Sequence, residues 1–231
     1  RSTPLYSSAA SDVYKRQDDN GSGGYTFQMH TDFDANSAAK ASFLRALDTW
    51  RCNTAVNWTN GATTAIDAVA SDNVNVVRFD NGGELSVGVL GVCSSWRSFC
   101  GGNTAMVVEL DIVFDDAASW EYGPALPGFT DYDFETVAVH ELGHAHQLGH
   151  VISPGAIMHY AISNGDANRS LGVNDQAGGD FVQAQSIVAN SCGSGAMTNY
   201  VCGTVPVANF SASTTTPCPG DAVVFTDLST N

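Results

Sequence analysis

Five of the six histidines in this 231-residue chain fall within one stretch, VAVHELGHAHQLGHVISPGAIMHYAI, at residues 137–162. Histidine contributes modest packing energy and must find hydrogen-bond partners when it is buried, so a folded domain has little structural reason to concentrate it. Neutral imidazole is, however, a preferred ligand of zinc and related metals. The spacing of these residues therefore points to metal chemistry.

Two of the histidines, His140 and His144, are four residues apart. At 3.6 residues per turn they stand on one face of a helix, where both can hold the same ion. Glu141 follows His140 in the helix, so its carboxylate is expected to lie beside the open coordination position of the metal without binding the metal itself. His150 follows a predicted helix end near Gly149, where the chain can turn back. The pattern predicts a catalytic zinc site with His140, His144 and His150 as ligands, in which Glu141 takes the proton of a zinc-bound water.

The neighbouring residues of the stretch have other predicted roles. His146 is predicted to lie on the opposite face of the helix, at the surface or behind the ligands, and His159 is predicted to face solvent. Met158 is expected to form an apolar floor beneath the metal. Whether Tyr160 contacts the metal or the oxyanion stays open.

These motifs carry a family resemblance. HELGHAHQLGH, at residues 140–150, resembles the metzincin signature H-E-x-x-H-x-x-G-x-x-H, and SPGAIMHY, at residues 153–160, resembles the Met-turn of that family. The spacing to Met158 is most similar to the matrixin branch, whereas the HY pair is similar to astacin-type turns. The resemblance extends over about residues 25–190 and implies a zinc endopeptidase that hydrolyses peptide bonds in protein substrates.

One position departs from the family pattern. The motif glycine is replaced by Gln147, at the point where the family's helix ends with a positive φ. That conformation costs a residue with a Cβ about 1 kcal/mol. The turn could instead move to Gly149, so the path of the chain to His150 is open.

The elements that must position this site are readable from periodicity. Apolar residues recur every three or four positions in a long helix, and Asn36 or Ser37 can cap it. Asp131 or Asp133 can cap the active-site helix, which is predicted to end near Gln147. LSVGVLGV, at residues 85–92, is the candidate edge strand that would pair with an extended peptide. The remaining predicted elements are strands at 25–33, 55–59, 73–81 and 105–116 and helices at 36–54 and 175–191.

Together these elements predict an α+β fold of the metzincin kind. We expect a twisted, mostly parallel sheet of four or five strands with an antiparallel edge strand, one long helix and one active-site helix. A truncated β-sandwich is expected to follow. ANFSAS and PGDAVVFTDLSTN near the end resemble the first two strands of a PKD domain, an immunoglobulin-like module that accompanies secreted and cell-surface bacterial enzymes.

The chain is predicted to divide into three segments. Residues 1–17 lack an initiator Met and any periodicity, and we interpret them as a non-native leader, with a natural flexible leader as the alternative. Residues 18–203 are assigned to the catalytic domain. Residues 204–231 are assigned to the partial PKD-like domain.

The charge limits the partners. With 24 acidic residues against 9 Lys and Arg, the net charge of -15 disfavours nucleic acid and anionic membranes. No run reaches the roughly 18 apolar residues of a membrane span. We expect a monomer that is secreted or held at the cell surface.

Acid pairs such as Asp115/Asp116 and Asp131/Asp133 are interpreted as solvated or capping groups, with structural calcium as the alternative.

The six cysteines show no C-x-x-C spacing. Cys93/Cys100 and Cys192/Cys202 are predicted to form local disulfides, which would indicate an oxidising compartment, and free thiols are the alternative. Cys52 and Cys218 have no assigned partner.

Two other functions compete with the endopeptidase. One is a non-catalytic, zinc-stabilised binding module, and the other is a zinc hydrolase with a non-peptide substrate. Glu141 argues against the first, because a structural zinc site uses four protein ligands and needs no general base.

Overall fold

The computed structural model describes residues 13–15, 20–21, 23–99, 105–189, 196–203, 210–213 and 222–227. The chain divides into two compact units, residues 1–200 and residues 201–231. Within the described residues, no helix combines the length and the apolar character needed to cross a membrane.

A single twisted sheet forms the framework of the first unit. Its strands are β1 (Val13–Lys15), β2 (Tyr25–Met29), β3 (Trp58–Asn60), β4 (Asn75–Phe79), β5 (Gly91–Phe99) and β6 (Ala105–Phe114). Strand β6 is the longest: β5 pairs with it in antiparallel fashion along its whole length, and β1 and β4 pair in parallel with its two ends. Strand β2 lies between β4 and β3, and both of these pairs are parallel.

The predicted mostly parallel sheet with an antiparallel edge strand is confirmed. Five of its strands lie between residues 25 and 114, and the short β1 adds a sixth from the stretch that we interpret as a leader. The strand expected at 25–33 ends at Met29, because His30 caps a short helix by accepting the Asp32 N–H. A two-residue parallel pair, β7 (Trp120–Glu121) and β8 (Tyr132–Asp133), precedes the active-site region.

Within the described residues, four helices pack with the sheet. They are α1 (Thr31–Ala35), α2 (Ser37–Thr54), α3 (Phe134–Ala145) and α4 (Val173–Ser186). Asn36 caps α2 as predicted, since its side-chain oxygen accepts the Ala39 N–H at 3.1 Å. Phe33, Phe114 and Phe134 form the centre of an aromatic core that is fully buried.

The helices α2 and α3 are joined by a buried polar contact as well as by apolar packing. The indole Nε1 of Trp50 donates to the carbonyl oxygen of Val139 at 2.7 Å. This contact fixes the long helix against the middle of the helix that carries His140 and His144.

The predicted position of the edge strand is wrong. Residues 85–90 form no strand and include a turn at 87–88, where Val87 is fully exposed and Gly88 has φ +84°. The edge strand is β5, which begins at Gly91, so the segment expected to be a disulfide loop is extended backbone. Gly88, with its positive φ, interrupts the apolar run at 85–92, and a regular strand starts only after it.

The cysteine pairing is also corrected in part. Cys93 lies within β5 and carries a thiol, so the predicted Cys93–Cys100 disulfide is wrong. Cys52 and Cys202 are both disulfide-bonded. Cys100, Cys192 and Cys218 lie outside the described residues, so the predicted Cys192–Cys202 pairing stays a prediction.

The second unit contributes two short antiparallel strands, β9 (Phe210–Ala212) and β10 (Phe225–Asp227). They coincide with the two strands expected from the PKD resemblance. The rest of the predicted β-sandwich falls on residues outside the described part of the chain.

Candidate functional site

The active-site helix α3 begins at the predicted cap. Asp133 Oδ1 accepts hydrogen bonds from the backbone N–H of Thr136 at 2.8 Å and from its hydroxyl at 2.6 Å. Asp133 is fully buried and forms an ion pair with Arg169. A charged cap with a cationic partner fixes the first turn, and with it the orientation of the whole helix.

The three histidines predicted as ligands come together. His140 Nε2 and His144 Nε2 each lie 3.1 Å from His150 Nε2. His140 Nδ1 contacts the Ile157 carbonyl at 2.7 Å, and His144 Nδ1 contacts the Leu148 carbonyl at 2.8 Å. A carbonyl only accepts, so each Nδ1 carries the proton and each Nε2 turns a lone pair toward the common centre.

This donor set fits a zinc ion. Nitrogen ligands about 2.0–2.1 Å from a tetrahedral centre lie roughly 3.3 Å apart, close to the observed spacing. Burial lowers the pKa of His140 to about 4 and also lowers the pKa of His144, so both imidazoles are neutral at neutral pH, as metal binding requires. These three residues, which all line the cleft, could therefore hold the metal.

Glu141 lies beside this centre in an enclosed environment. Its side chain is only 4 % exposed, the Cys93 N–H donates to the carboxylate, and Oε2 has no hydrogen-bond partner among the described residues. Burial raises the pKa of Glu141 to about 8. A Cβ at Gly91 would meet the Glu141 side chain at 2.9 Å, so this approach of β5 to the helix depends on a glycine.

The turn that terminates α3 lies at Gln147 and is not relocated to Gly149. Gln147 has φ +66°, the conformation that the family pattern assigns to glycine, and the Leu148 N–H closes the turn on the Gly143 carbonyl at 3.0 Å. The Gln147 amide offsets part of the strain by donating to the Ala145 carbonyl at 3.1 Å. The chain thus reaches His150 without the motif glycine.

A buried acid that the sequence analysis missed organises the Met-turn. Asp175, near the start of α4, accepts the backbone N–H groups of Ile157 at 3.1 Å and Met158 at 3.4 Å. The Ile157 carbonyl in turn holds His140. The only sequence signal for this role was an acid at the beginning of a helix, which normally indicates a cap.

The other histidines differ in their surroundings. His146 is fully buried between Trp50 and Trp58, with ring centroids 5.4 and 5.3 Å away. Of the two positions predicted for it, at the surface or behind the ligands, the surface position is therefore wrong. His146 comes directly after the last residue of α3, where the turn directs it into the core. His159 is half-buried and its Nδ1 contacts the Ala161 carbonyl, while Tyr160 is 64 % exposed at the mouth of the cleft.

The acid pairs act as local hydrogen-bond acceptors. Asp80, Asp115 and Asp116 bring carboxylate oxygens within 4.8 Å of one another. Asp80 accepts the N–H groups of Gly83, Leu85 and Asp116, which accounts for its burial. Asp133 caps α3, and Asp131 accepts from the Ser119 hydroxyl.

A cleft of about 1000 Å³ surrounds the histidines and Glu141. One wall is β5 between residues 91 and 97, and the other wall is the segment 155–162 that carries the Met-turn. The outer edge of β5 is not paired with any described strand. The cleft can therefore accept an extended chain between a free strand edge and the floor of the site.

The sheet, the helix with two histidines and the third histidine after its turn define the chain as a zinc metallopeptidase of the metzincin type. A family model for the matrixins matches residues 20–181, and the chain belongs to this family. None of the curated proteins compared with the chain matches it.

Proposed function

We propose that the protein is an exported zinc endopeptidase in which His140, His144 and His150 hold the catalytic ion and Glu141 is the general base. The observation that carries the proposal is the meeting of three imidazole lone pairs beside the buried Glu141, whose Oε2 has no hydrogen-bond partner in the described part of the chain. A structural site would use a fourth protein ligand, whereas this arrangement leaves room for water and substrate.

A bound zinc ion supplies Lewis acidity, which acidifies a nearby water and polarises a carbonyl. Glu141 takes the proton of the attacking water. It then delivers that proton to the amine of the departing peptide product. The low-polarity surroundings that raise the pKa of Glu141 favour its protonated form after the first transfer.

The substrate we propose is an extended segment of protein. Its backbone would pair with the cleft-facing edge of β5, which no described strand covers, so that a peptide carbonyl lies over the histidines. Ile157 and Ile162 line the opposite wall and favour an apolar side chain next to the scissile bond. Tyr160 lies at the mouth of the same cleft, and we propose it as a hydrogen-bond donor to the oxyanion.

The location outside the cytoplasm is supported by chemistry and by resemblance. Disulfide bonds at Cys52 and Cys202 favour an oxidising compartment. The strand pair at residues 210–212 and 225–227 agrees with the start of a PKD-like module, which accompanies secreted bacterial enzymes. We propose that the enzyme acts as a monomer, and that any calcium bound by its acidic pairs is structural.

A digestion of unfolded casein tests the proposal. The zinc-loaded protein is expected to produce fragments, to stop when a chelator removes the metal and to recover when zinc is returned. The matched control is Glu141→Gln, which keeps all three imidazoles and should bind zinc without cleaving. Intact casein with one zinc per wild-type chain would contradict the proposal, as would full activity in the Gln variant.

A further inference from the structure

One cationic side chain in the first unit differs from the rest. Six Lys and Arg residues lie between residues 20 and 200. Five of them form ion pairs with carboxylates, whereas Arg97 forms none with any described residue. The five paired residues are Lys40, Arg45, Arg51, Arg78 and Arg169.

Arg97 is held by a neutral group instead. Its Nε and Nη2 donate to Gln147 Oε1 at 3.3 and 2.9 Å, and the Gln147 amide nitrogen is itself tied to the Ala145 carbonyl. The guanidinium is thereby oriented by the end of the active-site helix. Because an amide carries no net charge, no group among the described residues pairs with the positive charge of Arg97.

The position of Arg97 places this charge in the cleft. Arg97 is exposed, belongs to the edge strand β5 and lines the same cavity as His140 and Glu141. It follows Cys93, whose N–H contacts Glu141, by four residues, or about 13 Å of extended chain at 3.3 Å per residue. At the register shift between Trp96 and Arg97 the extra residue, Val108, belongs to β6, so the spacing along β5 stays at four residues.

We infer that Arg97 is a specificity-determining residue that binds an acidic side chain of the substrate, about three or four residues from the scissile bond. The inference rests on the proposed endopeptidase function. A substrate pairing with β5 would carry its side chains along the strand, and a Glu or Asp near Arg97 would meet an oriented guanidinium with free N–H donors. The chain carries a net charge of -15 and so repels acidic substrates overall, whereas Arg97 attracts an acidic side chain locally.

Matched peptides test the inference. A peptide spanning a casein cleavage site of the wild-type enzyme is prepared with Glu or with Gln at the third and fourth positions on each side of the bond. At one of these positions, the wild-type kcat/KM is expected to be about fivefold higher for Glu, as an exposed but oriented ion pair allows. The ratio should fall as salt is raised.

Three variants locate the effect. Arg97→Gln should bring the Glu-to-Gln ratio to about one, and Gln147→Glu should lower it because the new carboxylate neutralises Arg97. Lys40→Gln removes one positive charge elsewhere and should keep the wild-type ratio. Zinc content and thermal unfolding are measured for each variant, so that a loss of folding is recognised.

The outcomes separate this inference from the function beneath it. An unchanged ratio in folded Arg97→Gln would overturn the role of Arg97, as would equal cleavage of the Glu and Gln peptides by the wild type. If the zinc-loaded wild type cleaves no peptide and no casein, the proposed function fails, and the inference fails with it.

Discussion

The sulfur of Met158 occupies the space that a Cβ at Gly143 would need. Met158 is 2 % exposed, and the indole of Trp50 closes the same space from the other side. The glycine in the middle of HELGH thus lets the Met-turn pack directly against α3, between the turns that carry His140 and His144. Met158 is therefore buried directly against the active-site helix, and this packing depends on the absence of a side chain at Gly143.

Gly143→Ala is expected to lose about 1–3 kcal/mol of unfolding free energy, because the added methyl overpacks a core that cannot yield. Urea denaturation measures the change. Gly203→Ala, where a Cβ meets no atom within 4 Å, is the control and should remain within about 0.5 kcal/mol of the wild type. Similar losses in both variants would show that the close approach of Met158 is not what matters.

Asp175→Ala is expected to weaken zinc binding by about tenfold and to lower thermal stability. The change leaves the Ile157 and Met158 N–H groups without their acceptor and loosens the carbonyl that orients His140. Competition with a chromophoric chelator gives the zinc affinity. Asp180→Asn alters an exposed acid on the same helix and should change neither quantity. Wild-type zinc affinity in folded Asp175→Ala would contradict the positioning role.

A pair of variants at Gln147 separates backbone strain from side-chain bonding. Both Gln147→Ala and Gln147→Gly lose the bonds to Arg97 and Ala145, but only the glycine relieves the positive φ. The Gly variant should therefore be more stable than the Ala variant by about 1 kcal/mol. Chemical denaturation of the two proteins checks this difference, and equal stabilities would mean that residue 147 is not strained.

Asp111 makes stability depend on pH. Burial raises its pKa from 3.8 to about 7, although it accepts N–H groups from Ala70 and Val76. Between these two pKa values the folded protein binds more protons than the unfolded chain, so this residue's contribution to unfolding free energy falls as pH rises from about 4 to 7.

Asp111→Asn removes that titration. Thermal unfolding at pH 5 and pH 8 should show the wild-type Tm dropping relative to the Asn variant as pH rises. Asp48→Asn changes an exposed carboxylate and should give a profile parallel to the wild type. If the Asp111 variant also runs parallel to the wild type, the buried carboxyl does not titrate in this range.

Much of the site could be predicted from the sequence because its spacing is local. Within one helix, a separation of four residues places His140 and His144 on one face whatever the rest of the protein does. The cap at Asp133 and the strand that became β6 are similarly local, since they depend on a turn of helix or on alternation along a few residues.

Other features depend on contacts between distant residues. The beginning of the edge strand at Gly91, rather than near residue 85, was decided by pairing with β6. The same pairing explains the thiol of Cys93. Residues 93–99 run in one extended strand, so the chain does not turn back to form the short disulfide loop that was predicted.

The sequence by itself therefore determined the family, the metal-binding histidines of the proposal and the order of the main elements. Only the tertiary structure decided that His146 is a core residue, that Asp175 holds the Met-turn and that Gln147 orients Arg97. The physical reason is that helix and strand periodicities fix a residue's neighbours only within a few positions. Arg97 and Gln147, 50 positions apart, meet only after the sheet register and the helix packing are set.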